Sequence, residues 1–335
     1  MRAVRVDEFG GPEVLVPREV SDPEPAPGEA LVEVTGANVI YLDTLIRSGW
    51  GEEHFPIAPP YVPGSGVSGR VVEVGPGTDP AWVGVEVVAE TGPVDGPGGS
   101  PSAPVDAYAE RTVVPVDSLI RVPDTLADHD ALALPTDGAT ALLLERAARF
   151  SPDTWVLVLA ATGGAGSLTV QLARLAGARV IGAARGPEKL ELARSLGAEE
   201  VVDYAEPGWL ERVSAITGGA GVSVVVDGAS GDLGRSALAA VADGGRFVSY
   251  GTTNGDFVEI DEAEVRDRGI TALGMMDLDD VKGASRRDLA RLVLEEARAG
   301  RLRPHVGLTL PLERAAEAHA ALEERRVLGK VLLVP

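Results

Sequence analysis

Short apolar strands alternate with helical segments between residues 155 and 275, and this alternation constrains the fold more than any other feature. The predicted strands are 155–160, 179–183, 201–202, 222–226, 246–250 and 270–275. One of the intervening helices begins near Pro187, a residue that suits the first turn of a helix. Because strands that are apolar throughout are buried on both faces, the pattern predicts an α/β fold with a doubly wound parallel sheet.

The residues on either side of this region have a different pattern. Stretches such as 30–35 and 69–75 alternate apolar and polar residues with a period of two, which is typical of half-buried strands. Residues 92–104 contain four glycines and four prolines and predict a surface loop. Helices are predicted at 131–148, 285–299 and 312–324, and a last strand at 330–334. We therefore predict a β-rich domain at 1–120, a dinucleotide-binding domain at 121–277, and a return to the first domain at 278–335.

A glycine-rich loop directly follows the first of the alternating strands and opens a helix. It contains Gly163, Gly164 and Gly166, with Ala161 at the first position of the usual G-x-G-x-x-G pattern. Small residues in this context let backbone N–H groups approach a pyrophosphate, and the helix N-terminus adds partial positive charge. Tight packing of helix on strand is the alternative explanation for the glycines. The series of β/α units around the loop favours nucleotide binding.

The end of the second alternating strand indicates which nucleotide binds. An NAD-binding site places an acidic residue there to bind the ribose 2′-hydroxyl. This chain has Ala183 and Ala184 instead, followed by Arg185 and Lys189. Arginine can bind a 2′-phosphate through two hydrogen bonds and lysine through its charge, so the sequence predicts NADPH as the cofactor. The alternative is that both cations lie at the start of a helix and have no role in binding.

Composition excludes several classes of function. The chain of 335 residues has no cysteine, so disulfides, thiolate nucleophiles and cysteine-containing metal sites are excluded. Its 51 acidic and 30 basic residues give a net charge of −21, which disfavours binding to nucleic acid or to an anionic membrane. Asp7 and Glu8 stand where a secretory signal would need apolar residues, so we expect a cytoplasmic protein.

Several short motifs occur in order along nearly the whole chain. They are DTLIRSG at 43–49, PGSGVSG at 63–69, AYAE at 107–110, AATGGAG at 160–166, KLELARSLG at 189–197 followed by Tyr204, VDG at 226–228, and GK at 329–330. With them the chain resembles the zinc-independent quinone oxidoreductase group of the medium-chain dehydrogenase/reductase superfamily. The resemblance implies a groES-like catalytic domain, a Rossmann domain and a homodimer. Within the first motif, Asp43 and Arg47 predict a buried turn held by a charge pair.

The resemblance also implies roles for individual residues toward NADPH. It places Gly163, Gly164 and Ala165 at the pyrophosphate, Arg185, Lys189 and Tyr204 around the 2′-phosphate, and Thr140 and the Tyr250-Gly251 turn near the nicotinamide. For Tyr204, the alternative is an ordinary half-buried tyrosine with no role in binding.

Zinc-dependent members of the superfamily have metal ligands at the positions of Ile40, Ser65 and Gly66. None of these three residues is a metal ligand, so the resemblance implies chemistry without a metal. A quinone or an α,β-unsaturated carbonyl then accepts hydride more readily than a simple ketone, because it delocalises the negative charge that forms on oxygen. Tyr41, next to Ile40, is the candidate hydrogen-bond or proton donor. Water or a ribose hydroxyl of the cofactor is the alternative donor.

The chain departs from the family pattern close to this position. Many members have asparagine and tyrosine at the positions of Ile40 and Leu45, whereas here Asn38 and Tyr41 stand nearby. Either the polar contacts are relocated or the substrate pocket differs. A second hypothesis is therefore a non-catalytic NADPH-binding protein of the same fold, in a structural or sensory role. Turnover of a substrate distinguishes it from a reductase.

Overall fold

The computed structural model describes residues 1–52, 55–92, 103–252, 257–278 and 283–335. Most of the predicted loop at 92–104, namely residues 93–102, lies outside the described residues. The chain separates into a β-rich unit, Met1–Thr136 with Ser285–Pro335, and an α/β unit, Asp137–Ala284. In the described ranges, no helix has the length and apolar character needed to span a membrane.

The β-rich unit contains a seven-stranded sheet and a two-stranded sheet, counted over the described residues. The strands of the larger sheet are β3 (Glu29–Val39), β4 (Gly66–Val74), β5 (Glu86–Glu90), β6 (Arg111–Pro115), β7 (Ile120–Arg121), β14 (Val306–Pro311) and β15 (Lys330–Val334). Their order is β14-β15-β3-β4-β5-β7, and β6 pairs with β3. The smaller sheet pairs β1 (Arg2–Val6) with β2 (Leu15–Glu19). The C-terminal segment thus completes the sheet that begins with β3, since β15 pairs with β3.

The helices of the β-rich unit are α1 (Tyr41–Arg47), α2 (Asp128–Leu132), α9 (Arg286–Arg298) and α10 (Ala315–Glu323). Helix α2 extends this unit past residue 120, where the sequence suggested a boundary. The hydroxyls of Thr35 on β3 and Ser68 on β4 both donate to Oδ2 of Asp128, at 2.7 and 2.8 Å. These two hydrogen bonds tie α2 to the sheet, so the residues up to Thr136 fold with the β-rich unit.

The α/β unit contains a sheet of six parallel strands in the described part of the chain. The strands are β8 (Trp155–Leu159), β9 (Arg179–Ala184), β10 (Glu200–Asp203), β11 (Val222–Asp227), β12 (Val241–Ser249) and β13 (Thr271–Leu273). The order β10-β9-β8-β11-β12-β13 is that of the Rossmann fold, in which the direction of winding reverses next to the first strand. The four residues 156–159 of β8 are fully buried, because helices cover both faces.

The other helices are α3 (Pro135–Ala148), α4 (Gly164–Leu175), α5 (Pro187–Ser195), α6 (Trp209–Ile216), α7 (Gly231–Leu238) and α8 (Glu262–Asp267). The helix predicted at 131–148 is confirmed over 135–148 as α3, but its predicted start is wrong, since α2 ends at Leu132 and α3 begins at Pro135. Proline has no N–H for a helical hydrogen bond and fits a first turn, so it separates the two helices. Strand β14 was not among the predicted strands.

Candidate cofactor and active site

The glycine-rich loop turns the chain from β8 into α4. Ala160 takes the left-handed conformation, with φ of 52°, immediately after the strand ends. The N–H of Ala161 then donates to the carbonyl of Ala183 on the neighbouring β9, and the N–H of Gly163 donates back to the carbonyl of Ala160. Gly163 is the N-cap residue of α4 and has no side chain with which to cap the helix. The first amides of α4 therefore face a loop built from small residues, the arrangement that binds phosphates.

The glycines of the loop are required for different reasons. A Cβ at Gly166 would lie 2.2 Å from the carbonyl oxygen of Ala160, so the packing of α4 on β8 itself demands glycine there. A Cβ at Gly163 would meet only that same oxygen within 4 Å, at 3.4 Å, among the described residues. The protein's own packing does not require glycine at 163. Close approach of a pyrophosphate would require it, so these residues fit a dinucleotide.

The C-terminal end of β9 carries two alanines followed by a cation. Ala183 and Ala184 are buried, and Arg185 is exposed and neither donates a hydrogen bond nor pairs with a carboxylate anywhere in the described ranges. Tyr204 follows the adjacent strand β10, and its N–H donates to the carbonyl of Ala184. The structure thus brings Arg185 and Tyr204 to the same edge of the sheet. Lys189 lies in the first turn of α5, within the same strand–helix connection.

The sequence analysis missed one acidic residue at this edge, Asp203 at the end of β10. Its Oδ2 accepts a hydrogen bond from the N–H of Gly186, and its Oδ1 accepts one from the N–H of Ala205, both at 2.8 Å. Asp203 pairs with Ala184 in the parallel register, so its place beside the end of β9 could have been inferred once the strand order was known. Both carboxylate oxygens bind backbone amides, and the carboxylate holds the turn after Arg185 in place.

A second turn of the α/β unit joins β12 to the Tyr250-Gly251 pair, which the sequence places near the nicotinamide. Asp227, at the end of β11, is buried and accepts hydrogen bonds from the N–H groups of Ala229 and Ser230 and from the hydroxyl of Ser249. Burial raises the pKa of Asp227, and these hydrogen bonds oppose the rise. The N–H of Tyr250 donates to the Asp227 carbonyl. This network, missed by the sequence analysis, ties the turn to the sheet.

Backbone strain marks the same place. Ser230 has φ of 57° and ψ of −166°, a conformation that normally requires glycine, and its hydroxyl donates to the carbonyl of Gly251. A Cβ at Gly251 would lie 2.2 Å from the carbonyl oxygen of Gly228, so the two turns are in direct contact. Thr140, the remaining residue expected near the nicotinamide, is half-buried on α3.

Tyr41, the candidate donor, is the first residue of α1 in the β-rich unit and is half-buried. Burial raises the pKa of its phenol; Arg325 opposes this rise and Glu323 adds to it. The phenol is therefore protonated at neutral pH and can donate a hydrogen bond. The hydroxyl of Thr44 donates to the carbonyl of Tyr41 at 2.7 Å, which fixes the backbone of this residue.

The predicted charge pair between Asp43 and Arg47 is wrong, although both residues are buried as expected. Asp43 instead accepts hydrogen bonds from the N–H of Ile40 and the hydroxyl of Tyr108. Arg47 pairs with Glu323 on α10, which is remote in the sequence. The capping interaction keeps the carboxylate at the start of α1, whereas the longer Arg47 side chain reaches another helix.

Ile40, Ser65 and Gly66 stand at the positions that the family resemblance identifies with zinc ligands. Ile40 is the N-cap residue of α1, and Gly66 is the first residue of β4. In the portion of the chain that the structure describes, no group of three or more His, Cys, Asp and Glu side chains is arranged to hold a metal ion. The chain as a whole has no cysteine.

Two family models match the chain. The model described as alcohol dehydrogenase GroES-like domain matches residues 26–124, and the model described as zinc-binding dehydrogenase matches residues 164–288. A 2-haloacrylate reductase from a Burkholderia species is 32% identical, with 99% of this chain and 98% of the relative covered. A quinone oxidoreductase from Pseudomonas aeruginosa is 30% identical, with 100% of this chain and 99% of the relative covered.

Solved structures resemble the fold over its full length. Escherichia coli quinone oxidoreductase complexed with NADPH is 27% identical with a TM-score of 0.88, and an NAD-dependent alcohol dehydrogenase is 35% identical with a TM-score of 0.86. In both cases 100% of each chain is covered. The β-rich unit is thus a groES-like domain and the α/β unit a Rossmann domain. With this fold, its glycine loop and relatives of this similarity, the chain belongs to the quinone oxidoreductase group of the medium-chain dehydrogenase/reductase superfamily.

Proposed function

We propose that this NADPH-dependent oxidoreductase works without a metal and transfers hydride to a quinone or an α,β-unsaturated carbonyl compound. The observation that carries the proposal is the half-buried phenol of Tyr41 at the start of α1, in a chain that has no cysteine and has Ser65 where the resemblance places a zinc ligand of zinc-dependent members. The names of the relatives support the substrate class. A 2-haloacrylate and a quinone both present a carbon–carbon double bond conjugated to a carbonyl group.

The residues at the glycine loop and at the end of β9 fit the cofactor. Gly163, Gly164 and Ala165 would hold the pyrophosphate through backbone N–H groups, and Arg185 and Lys189, with Tyr204, would bind the 2′-phosphate. Thr140 and the Tyr250-Gly251 turn would hold the nicotinamide end. When bound, NADPH supplies the hydride. The chain's contribution there is to bind and orient the reactants, which accounts for much of the acceleration in reactions of this kind.

Tyr41 would stabilise the charge that develops on the acceptor. Hydride addition to a quinone or enone leaves a phenolate or enolate oxygen, which a phenol donor stabilises by a hydrogen bond and then protonates. The proton that Tyr41 loses returns from solvent. A saturated ketone would leave an alkoxide with localised charge, which a single phenol stabilises poorly. This difference explains why conjugated acceptors are favoured over simple ketones.

The experiment that tests the function is NADPH oxidation against a panel of acceptors, with enzyme treated with EDTA and enzyme left untreated. We expect turnover of 1,4-benzoquinone, a 2-enone or a 2-haloacrylate, little turnover of a simple ketone, and no effect of EDTA. Ketone turnover lost with EDTA and restored by zinc would overturn the metal-free proposal. NADPH binding without turnover of any acceptor would identify the alternative, a non-catalytic NADPH-binding protein.

A Tyr41→Phe variant tests the donor. We expect kcat to fall at least about tenfold with the KM for NADPH within about twofold, because only the interaction with the developing oxyanion is lost. Tyr61→Phe is a matched control, since the hydroxyl of Tyr61 has no hydrogen-bond partner among the described residues. An unchanged kcat in Tyr41→Phe would assign the proton to water or to a ribose hydroxyl of the cofactor.

We also propose that the chain forms a homodimer through the β13 edge of its Rossmann domain. In the described part of the chain no strand pairs with the outer edge of β13, and Met276, just beyond it, is 81% exposed. Phe257 is exposed nearby, beside an apolar cavity that it lines with Met275 and Met276. A second copy would cover both the open edge and this apolar surface.

Light scattering coupled to size exclusion checks the dimer. We expect twice the mass of the chain for the wild type and the mass of one chain for a Met276→Glu/Phe257→Glu variant, because the charges would be buried at the interface. A control with Val83→Glu, an exposed apolar residue of the β-rich unit, should keep the wild-type mass. A monomeric wild type, or a double variant that stays dimeric, would contradict the proposed interface.

A further inference from the structure

A buried series of hydrogen bonds connects α10 and the segment before β6 to the start of α1. His319 on α10 and Tyr108 in the segment before β6 are fully buried, and Asp43 on α1 is 2% exposed. The hydroxyl of Tyr108 donates to Oδ2 of Asp43 at 3.0 Å and lies 3.0 Å from Nε2 of His319. The rings of Tyr108 and His319 meet edge to face. The mechanism described above uses none of these three side chains.

When Asp43 is ionised, the hydrogen bonds have a defined direction. A phenol has one hydrogen, and Tyr108 gives it to Asp43, so Nε2 of His319 must be the donor to the Tyr108 oxygen. Burial, with a further contribution from Arg47, lowers the pKa of His319 to about 3. The imidazole is therefore neutral and carries its single hydrogen on Nε2. The order of donation is His319 to Tyr108 to Asp43.

The series of hydrogen bonds ends at the backbone N–H of Ile40, next to Tyr41. Oδ2 of Asp43 accepts from both Tyr108 and the N–H of Ile40, at 3.0 and 2.9 Å, so a single oxygen joins the buried chain to the N-cap of α1. The hydroxyl of Thr44 holds the next carbonyl, that of Tyr41. We propose that Asp43, Tyr108 and His319 are positioning residues that fix the first turn of α1 and thereby hold the phenol of Tyr41 in place for catalysis. This inference rests on the proposed role of Tyr41.

The arrangement is more elaborate than packing of α1 requires. Oδ1 of Asp43 and Nδ1 of His319 have no hydrogen-bond partner among the described residues, and the same is true of Nε and Nη1 of Arg47. Buried polar groups without partners destabilise a fold, so apolar side chains of similar size would hold the helix at lower cost. A polar chain that ends beside a candidate catalytic residue is better explained by positioning than by stability.

Ionisation of Asp43 affects the strength of the last hydrogen bond. Burial raises the pKa of Asp43 to about 7, opposed by the hydrogen bonds from Ile40 and Tyr108 and by the charge of Lys330 on β15. The other titratable or charged groups around it are Tyr61, Tyr108, Arg47, Glu323 and His319. A carboxylate accepts stronger hydrogen bonds than a neutral carboxyl, so the first turn of α1 is held more firmly above pH 7 than below it.

The test compares variants that interrupt the series of hydrogen bonds with a variant that preserves it. Tyr108→Phe and His319→Leu should lower kcat about tenfold with the KM for NADPH within about twofold. His319→Gln keeps a donor toward Tyr108 and should restore kcat to within about twofold of the wild type. Deuterium exchange over residues 38–48, measured without cofactor, should be faster in the first two variants and close to wild type in the third. Unchanged kcat and exchange in folded Tyr108→Phe protein would overturn the proposal.

Two further measurements make failures distinguishable. If Tyr108 acts through Tyr41, the Tyr41→Phe/Tyr108→Phe double variant should be no slower than Tyr41→Phe alone. Additive losses of kcat would reject the positioning role of Tyr108. Full activity of Tyr41→Phe would instead reject the donor role of Tyr41, and deuterium exchange would then still test whether Tyr108 holds the first turn of α1. We expect the wild-type kcat to rise between pH 6 and 8 as Asp43 ionises. Asp43→Asn, which keeps one acceptor oxygen, should match the wild-type kcat at pH 6 and show no such rise. A rise that persists in Asp43→Asn would exclude Asp43 as its source.

Discussion

An Arg185→Ala/Lys189→Ala double variant is expected to raise the KM for NADPH by about a hundredfold and to leave the KM for NADH within about twofold. Arg185 is exposed at the end of β9 and pairs with no group among the described residues, so its removal should not disturb the free protein. Each lost charge-assisted hydrogen bond to the 2′-phosphate is worth about 1.5–3 kcal/mol, and two such losses account for an effect of this size. NADH has no 2′-phosphate and should be insensitive.

The control for this variant is Arg194→Ala on the same helix. Arg194 is exposed near the C-terminal end of α5 and pairs only with the exposed Glu191 in the described structure. Its replacement removes one positive charge, half the change in the double variant, without touching the end of β9. Steady-state kinetics with both cofactors provides the measurement. Equal increases of KM for NADPH and NADH would show that neither cation binds the 2′-phosphate. The result also decides between the two cofactors named for the structural relatives, NADPH and NAD.

Local sequence patterns predicted the α/β unit well, because a few consecutive residues are enough to identify each strand or helix there. The strand at Trp155–Leu159 is apolar throughout, the glycines follow it at once, and Pro187 opens the helix after β9. The same local reading placed Ala183 and Ala184 at the end of β9, where the structure has them. What it could not give was the neighbour of each strand. Asp203 therefore escaped notice, although it lies opposite Ala184 in the register.

Interactions between distant parts of the chain explain most of what the sequence analysis missed. Arg47 was expected to pair with Asp43 because both belong to the DTLIRSG motif at 43–49. Arg47 pairs instead with Glu323, and Asp43 binds the hydroxyl of Tyr108, 65 residues away. Glu323 becomes adjacent to Arg47 only when the C-terminal segment joins the sheet through β14 and β15. Tyr108 lies just before β6, which pairs with β3. Periodicity and spacing contain no information about such contacts.

Substituting Gly163 by valine is expected to weaken NADPH binding by at least about a hundredfold while leaving thermal stability close to that of the wild type. The backbone of Gly163 has φ of −74° and ψ of 174°, which any residue can adopt. A Cβ there would meet one atom of the described protein within 4 Å, at an ordinary contact distance of 3.4 Å. The added side chain would project where the pyrophosphate must approach the backbone, so we expect a loss of NADPH affinity and no loss of stability. Gly163→Ala should give a smaller loss in the same direction.

Gly166→Ala provides the opposite case within the same loop. Its Cβ would lie 2.2 Å from the carbonyl oxygen of Ala160 and 3.1 Å from the carbonyl carbon, so backbone must move to accommodate it. We expect the free energy of unfolding to fall by about 1–3 kcal/mol, as overpacking of a tight contact usually does. Fluorescence titration with NADPH and thermal denaturation separate the two effects. If Gly163→Val lowers the melting temperature as much as Gly166→Ala, or binds NADPH normally, glycine at 163 serves packing and the loop is not the pyrophosphate site.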